Sequence, residues 1–213
     1  LSIRRAGAGA LRLLRQPELA WFFACVFFGV LAHHAMYAFF SLYLAELGYG
    51  KGQIGLIWAL GVFVEVFWFW FQGRWFARMS AHRWLLLAAG VTALRFAAVA
   101  AFAGVPLVLV ITQCTHAITF AAQHTACIDV VNRHFGGRAR GRGQALYAVI
   151  GYGFSGVLAA GEAGITGREL AGVGGGALVE AAGFAAVFWA ASAAGLVSAG
   201  CAWKAMRAGP GPA

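Results

Sequence analysis

Residues 84–131 read WLLLAAGVTALRFAAVAAFAGVPLVLVITQCTHAITFAAQHTACIDVV, an apolar run whose only ionisable side chains apart from the cysteines are Arg95, His116, His124 and Asp129. One bilayer crossing takes about 20 apolar residues, so the run is too long for a single span. Gly104-Val105-Pro106 divides it, because proline is suited to the first turn of a new helix. Two consecutive crossings with charged or titratable groups near their centres define an all-α membrane protein.

The rest of the chain agrees with this reading. Of its 213 residues 62% are hydrophobic and 11% charged, against roughly 45–50% and about 25% in a soluble domain. An ordinary cytosolic enzyme and a disordered chain are both excluded. The apolar runs are continuous rather than alternating, which excludes a β-barrel. Uninterrupted apolar stretches predict six transmembrane helices at about 19–45, 53–72, 84–103, 106–131, 144–163 and 180–203. The expected bundle covers 18–205, with a basic linker at 1–17 and a short tail at 206–213. Gly48-Tyr49-Gly50-Lys51-Gly52 separates the first two helices, and Gly136-Gly137 with Gly141 and Gly143 opens the loop before the fifth. The glycine-rich segment from Gly161 to Gly176 reads as a loop. The first apolar run is too long for the core of a signal peptide. Cys25, Cys114, Cys127 and Cys201 are widely spaced in apolar stretches and read as packing residues, with no metal-ligand or redox spacing.

The net charge of +9 raises the question of nucleic acid. Its distribution answers with topology instead. Arg4, Arg5, Arg12 and Arg15, then Arg74, Arg78 and Arg83, then Arg133, Arg138, Arg140 and Arg142, then Lys204 and Arg207 place 13 of the 16 basic residues on one side. Lys51 and Arg168 alone lie on the other, and Arg95 lies within a span. The positive-inside rule then puts both termini in the cytoplasm. Anionic headgroups are the expected partner of the basic loops, and nucleic acid is not.

Charges at mid-bilayer cost roughly 2.5–3.5 kcal/mol each on insertion scales, so an ionisable residue there is a functional-site hypothesis by default. His33 and His34 lie near the centre of the first helix, Glu65 of the second, Arg95 of the third and His116 of the fourth. Each falls within about three residues, or ~5 Å, of its helix centre. These groups are expected to converge on an interior or a water-filled cavity. The bland alternative is a buried Glu65–Arg95 ion pair that only fixes register. Along the first helix His34, Tyr37 and Ser41 share a face, and along the fourth Gln113, His116 and Gln123 form a stripe with His124 about 80° round. Both faces read as cavity linings. Asp129 and Arg133, four residues apart, read as an interfacial ion pair.

Two motifs are discounted. Gly151-Tyr152-Gly153-Phe154-Ser155-Gly156 matches a dinucleotide-binding glycine pattern but lies inside an apolar helix with no strand before it. Its last four residues resemble the nucleophile motif of rhomboid proteases, whose histidine lies on a later helix, and no histidine here follows His134. Histidines at one depth on the first and fourth helices also allow a bis-histidine haem carrier, and a purely helical scaffold is a further non-transporting alternative.

Gly29-Val30-Leu31-Ala32-His33 with Tyr37 and Tyr43, Gly55-Leu56-Ile57-Trp58-Ala59-Leu60-Gly61-Val62 with Glu65, then Arg95, then His116 with His124, together resemble the carboxy-terminal six-helix half of a major facilitator superfamily transporter. Within it the chain is most similar to the phenylpropionate permease group, relatives of lactose permease. The likeness runs from about 18 to 205. It implies a twelve-helix fold of two halves, with the site between them near the midplane. Two departures stand out: Thr119 and Phe120 occupy the turn after His116 where lactose permease has a carboxylate, and the loop from Gly73 to Arg83 lacks the superfamily's usual aspartate.

The resemblance implies a secondary active transporter rather than an enzyme, working as a proton-coupled symporter of a small organic or aromatic acid or a sugar-like solute. Glu65, His116 and His124 are the expected proton-coupling residues. His33, Tyr37, Trp58, Arg95, Gln113 and Gln123 are the expected substrate contacts. The expected partners are the substrate, protons, the lipid bilayer of the cytoplasmic (inner) membrane and a missing amino-terminal six-helix half. Neither cofactor nor metal is expected.

Overall fold

A computed structural model describes residues 15–156 and 175–209. The basic residues before Arg15, Arg168, all but the last two residues of the expected loop from Gly161 to Gly176, and the end of the fifth predicted span lie outside them. Among the described residues there is helix and no strand. Helix α1 spans Pro17–Glu46, α2 Lys51–Phe76 and α3 Ala81–Phe102. Helix α4 spans Pro106–His134, α5 begins as Arg140–Ala148 and continues as a wider π turn over Val149–Phe154, and α6 spans Gly175–Ala208. Among the described residues five helices, α1, α2, α3, α4 and α6, are long and apolar enough to cross a membrane. The protein is an integral membrane protein.

The helices extend a few residues past the apolar stretches, because local caps rather than hydropathy set their ends. Pro17 and Pro106 each open a helix at a position whose N–H would have no partner. Ser80 Oγ accepts a hydrogen bond from the Arg83 N–H at 3.4 Å and caps α3. Gly48, with φ of 87°, closes α1 in a left-handed conformation that a side chain would strain. In α6 the chain is already helical at Gly175, but Gly183 breaks it with φ 78° and ψ 172°.

Helix α6 lies along both α1 and α3. The contact with α3 is close enough that a Cβ on Gly195 would stand 2.8 Å from the Ala93 backbone nitrogen. Ser192 Oγ reaches the Ala93 carbonyl at 2.8 Å nearby. Small residues at a crossing let backbones approach, the usual basis of helix association where lipid removes the hydrophobic drive. Two apolar clusters result. One gathers Phe22, Val26, Trp68, Trp84, Val130 and Ala202 towards the Arg-rich end, and the other gathers Met36, Phe40, Phe96, Leu109 and Phe188 towards the opposite end. Between them, at His33, Arg95, Gln113, His116, Thr119 and Gln123, the buried residues are polar.

Helix α2 stands apart, with only Gly61 and Trp68 buried. Leu56, Phe63 and Trp70 are 73%, 67% and 81% exposed, an apolar face suited to lipid or another helix. At the Arg-rich end Glu18 lies between two histidines, 3.2 Å from His82 and 3.3 Å from His134, and so links the ends of α1, α3 and α4. Asp129 pairs with Arg133 at 2.8 Å.

Candidate functional site

The polar layer is built around Arg95, 3% exposed on α3. A guanidinium presents five N–H donors and no acceptor. Its Nη1 donates to His116 Nδ1 at 2.9 Å and to Thr119 Oγ1 at 3.0 Å, and its Nη2 donates to Gln113 Oε1 at 3.1 Å and to Met36 Sδ at 3.0 Å. Every one of these acceptors is neutral when His116 is neutral. The ring of Phe96 lies 5.5 Å from the guanidinium carbon and adds a cation–π contact. Glu65 and Arg95 form no direct ion pair. His116 stands between them, its Nε2 3.7 Å from Glu65 Oε2.

This arrangement decides a tautomer. Arg95 can only donate, so His116 Nδ1 accepts, and the proton of neutral His116 is on Nε2, facing the Glu65 carboxyl. A second proton on His116 must go to Nδ1 and displace the guanidinium. Protonation of His116 and release of Arg95 are therefore linked by geometry. Both ring nitrogens of His116 face partners, so His116 itself presents no free nitrogen to a haem iron.

Helix α4 makes this possible through its own irregularity. Residues Ala117–Ala122 form a π turn, between α-helical Pro106–Cys114 and Gln123–His134. A π turn holds one more residue than an α turn, and such bulges recur at functional sites. The stripe from Gln113 through His116 to Gln123, counted at regular α spacing, is therefore split. Gln113 and His116 meet Arg95. Gln123 is directed to α1, beside Gly29, where a Cβ would collide with its amide. His124 is turned away to α5, where its Nδ1 is 3.0 Å from Tyr147 Oη, and that hydroxyl is 3.3 Å from Tyr152 Oη.

His33 is buried within the layer, with Nδ1 2.8 Å from the Gly29 carbonyl and its ring 6.1 Å from that of His116. One turn on, Tyr37 stacks on Trp58 of α2, ring centres 6.1 Å apart and 15° from parallel, and Trp58 Nε1 donates to Ser41 Oγ at 2.9 Å. Tyr37 is 47% exposed, so this pair offers a flat aromatic surface at the edge of the polar layer. The expected site residues thus fall into three groups: Glu65, Arg95, Gln113 and His116 in one cluster; Tyr37 and Trp58 in an aromatic pair; and His33, Gln123 and His124 around a small cavity that Tyr37 also lines.

Sequence reasoning did not single out Met36, Tyr147 or Tyr152, since a methionine and two tyrosines in apolar helices carry no polar pattern of their own. Thr119 was noted only for the carboxylate it replaces. In the structure its hydroxyl accepts from Arg95, a neutral group at the place where the resemblance implies a charge.

A family profile described as the MFS_1 like family matches residues 2–169. The chain is 34% identical over 146 residues to the "Probable 3-phenylpropionic acid transporter" of Escherichia coli (strain K12), an alignment covering 68% of this chain and 37% of that protein. The chain therefore spans well under two thirds of that relative's length. No solved structure matches. A bundle of apolar helices around a polar Arg–His–Glu layer, matched over most of its length by that profile, belongs to the MFS_1 like family of major facilitator proteins.

Proposed function

We propose that the chain forms half of a secondary active transporter that carries a small aromatic carboxylate together with a proton. The observation that supports this best is the chain of contacts from half-buried Glu65 through buried His116 to buried Arg95, between two apolar clusters. A guanidinium held by an imidazole, a hydroxyl, an amide and a thioether has exchangeable partners, because none matches a carboxylate in charge or in bidentate geometry. A substrate carboxylate would take Arg95 from these neutral acceptors. A proton arriving at His116 Nδ1 would displace the same guanidinium, and one on Glu65 would balance the charge of the substrate. The Tyr37–Trp58 pair supplies an aromatic face for the remainder of the substrate. The printed name of the Escherichia coli relative, a phenylpropionic acid transporter, is in keeping with that pairing of ring and carboxylate. Both termini face the cytoplasm in this proposal, and an amino-terminal six-helix half completes the cavity.

The test is uptake of radiolabelled 3-phenylpropionate by the full-length protein in proteoliposomes. Accumulation driven by an inward proton gradient, competed by other arylalkyl carboxylates and not by the matching amides, is the expected result. Equal uptake with and without the gradient would refute coupling. Equal competition by the amides would remove Arg95 from carboxylate recognition.

A further inference from the structure

A small cavity of about 20 Å³ lies between α1, α4 and α5, next to the Arg95 cluster, with which it shares Thr119 in its wall. Its size is that of one water-sized group. Three polar atoms of residues lining it are buried without a partner: His33 Nε2, His34 Nε2 and Gln123 Oε1. His33 is 3% exposed and Gln123 6%. Two of the three have a fixed sense. The His33 Nδ1–H is committed to the Gly29 carbonyl at 2.8 Å, so neutral His33 presents a bare lone pair at Nε2. Gln123 Oε1 can only accept. Two unsatisfied acceptors converging on one cavity call for a molecule with two O–H donors, and leaving them unpaired would cost more than ordering a water there.

The opposite wall explains what such a molecule could do. His124, Tyr147 and Tyr152 also line the cavity and form their own chain, 3.0 Å from His124 Nδ1 to Tyr147 Oη and 3.3 Å from there to Tyr152 Oη. On the near side the His33 ring is 6.1 Å from that of His116, with Phe120 stacked on His116 at 5.3 Å. Along α4, His124 lies two turns closer than His116 to the Arg-rich end.

We propose that this cavity holds an ordered water that connects the midplane histidines to the His124–Tyr147–Tyr152 chain and so gives the coupling proton its route towards the Arg-rich side. The water takes a proton from one neighbour and passes another of its own to the next, leaving its composition unchanged. The relay role rests on the proton-coupled reading above. The water site does not.

The experiment is infrared difference spectroscopy after a pH jump, on the full-length protein in membranes, in H2O and in H2(18)O, with pH-driven uptake and substrate exchange measured on the same preparations. An O–H stretch that shifts with 18O is expected in the native protein and absent in Val30→Leu, where the added methylene enters the cavity without altering any titratable group. Tyr152→Phe, which removes one hydroxyl and keeps the ring, is expected to keep the band. Both variants should slow pH-driven uptake about tenfold relative to exchange. A native protein without the isotope-sensitive band overturns the water site, as does a folded Val30→Leu that retains it. If the band is present but Tyr152→Phe keeps full pH-driven uptake, the relay is overturned. Should native uptake ignore the pH gradient altogether, it is the coupling reading that falls, and the relay with it, while the band alone still decides the water.

Discussion

At the level of single residues, the layer turns on Arg95 and on the one ring that separates it from Glu65. Glu65→Gln preserves size and hydrogen bonding but cannot titrate. It should abolish proton-driven accumulation and leave part of the substrate exchange, since translocation with substrate bound requires no proton release. Arg95→Lys should instead weaken carboxylate binding about tenfold or more, because an ammonium cannot reproduce the guanidinium fork. If the layer merely held the helices in register, both substitutions would lower the folded yield and leave activity per molecule unchanged. Accumulation and exchange, normalised to protein in the membrane, distinguish the two patterns. Thr119→Val removes a neutral acceptor from a charged donor and should cost about 1.5–3 kcal/mol of stability, read as a fall in thermal midpoint in detergent. Histidine and arginine were visible in the sequence as residues out of place in apolar helices. The partner of each ring nitrogen was not, because it depends on rotation of a side chain against another helix.

Among the elements, α6 and α4 are the ones whose geometry the site depends on. Helix α6 approaches α3 so closely at Gly195 that any side chain there meets Ala93 backbone, which cannot move aside as a flexible side chain could. Gly195→Leu should destabilise the bundle by about 1–3 kcal/mol or more through overpacking. Gly200→Leu, on the same helix with open space around its Cβ position, should be close to neutral. The same melting measurement on both separates a packing effect from loss of helix flexibility, which would touch both alike. Helix α4 was legible as an apolar span opened by Pro106. Its π turn at Ala117–Ala122 was not, and Gln123, which regular counting puts on the stripe with Gln113 and His116, faces Gly29 of α1 instead. Regular α counting cannot anticipate an inserted residue, because nothing in the local apolar pattern marks it.

For the whole molecule, charge placement predicts sidedness. The expected orientation puts the loop at Lys51 outside and the end of α6, near Arg207, in the cytoplasm. After the native cysteines are replaced, Lys51→Cys should react with an impermeant maleimide added outside intact cells, and Arg207→Cys only after lysis. The reverse pattern would overturn the topology and with it the direction proposed for the proton. The exposed face of α2, with Leu56, Phe63 and Trp70, belongs to the same scale: it is apolar enough for hydrocarbon and long enough to cross it.

What the sequence determined by itself is what depends on composition along a line. Apolar runs of spanning length, their division at Gly104–Pro106, the charge asymmetry and the depth of Glu65, Arg95 and His116 are all counted in residues, and the bilayer converts each count into a position at 1.5 Å per residue. What only the tertiary structure decided depends on azimuth. Helix rotation, close approach at Gly195 and the π turn in α4 place His116 between Glu65 and Arg95, give Arg95 neutral partners and turn His124, Gln123 and His33 around a small cavity. Rotation about a helix axis is set by packing against neighbours distant in the chain, and hydropathy is nearly blind to it when almost every face of the helix is apolar.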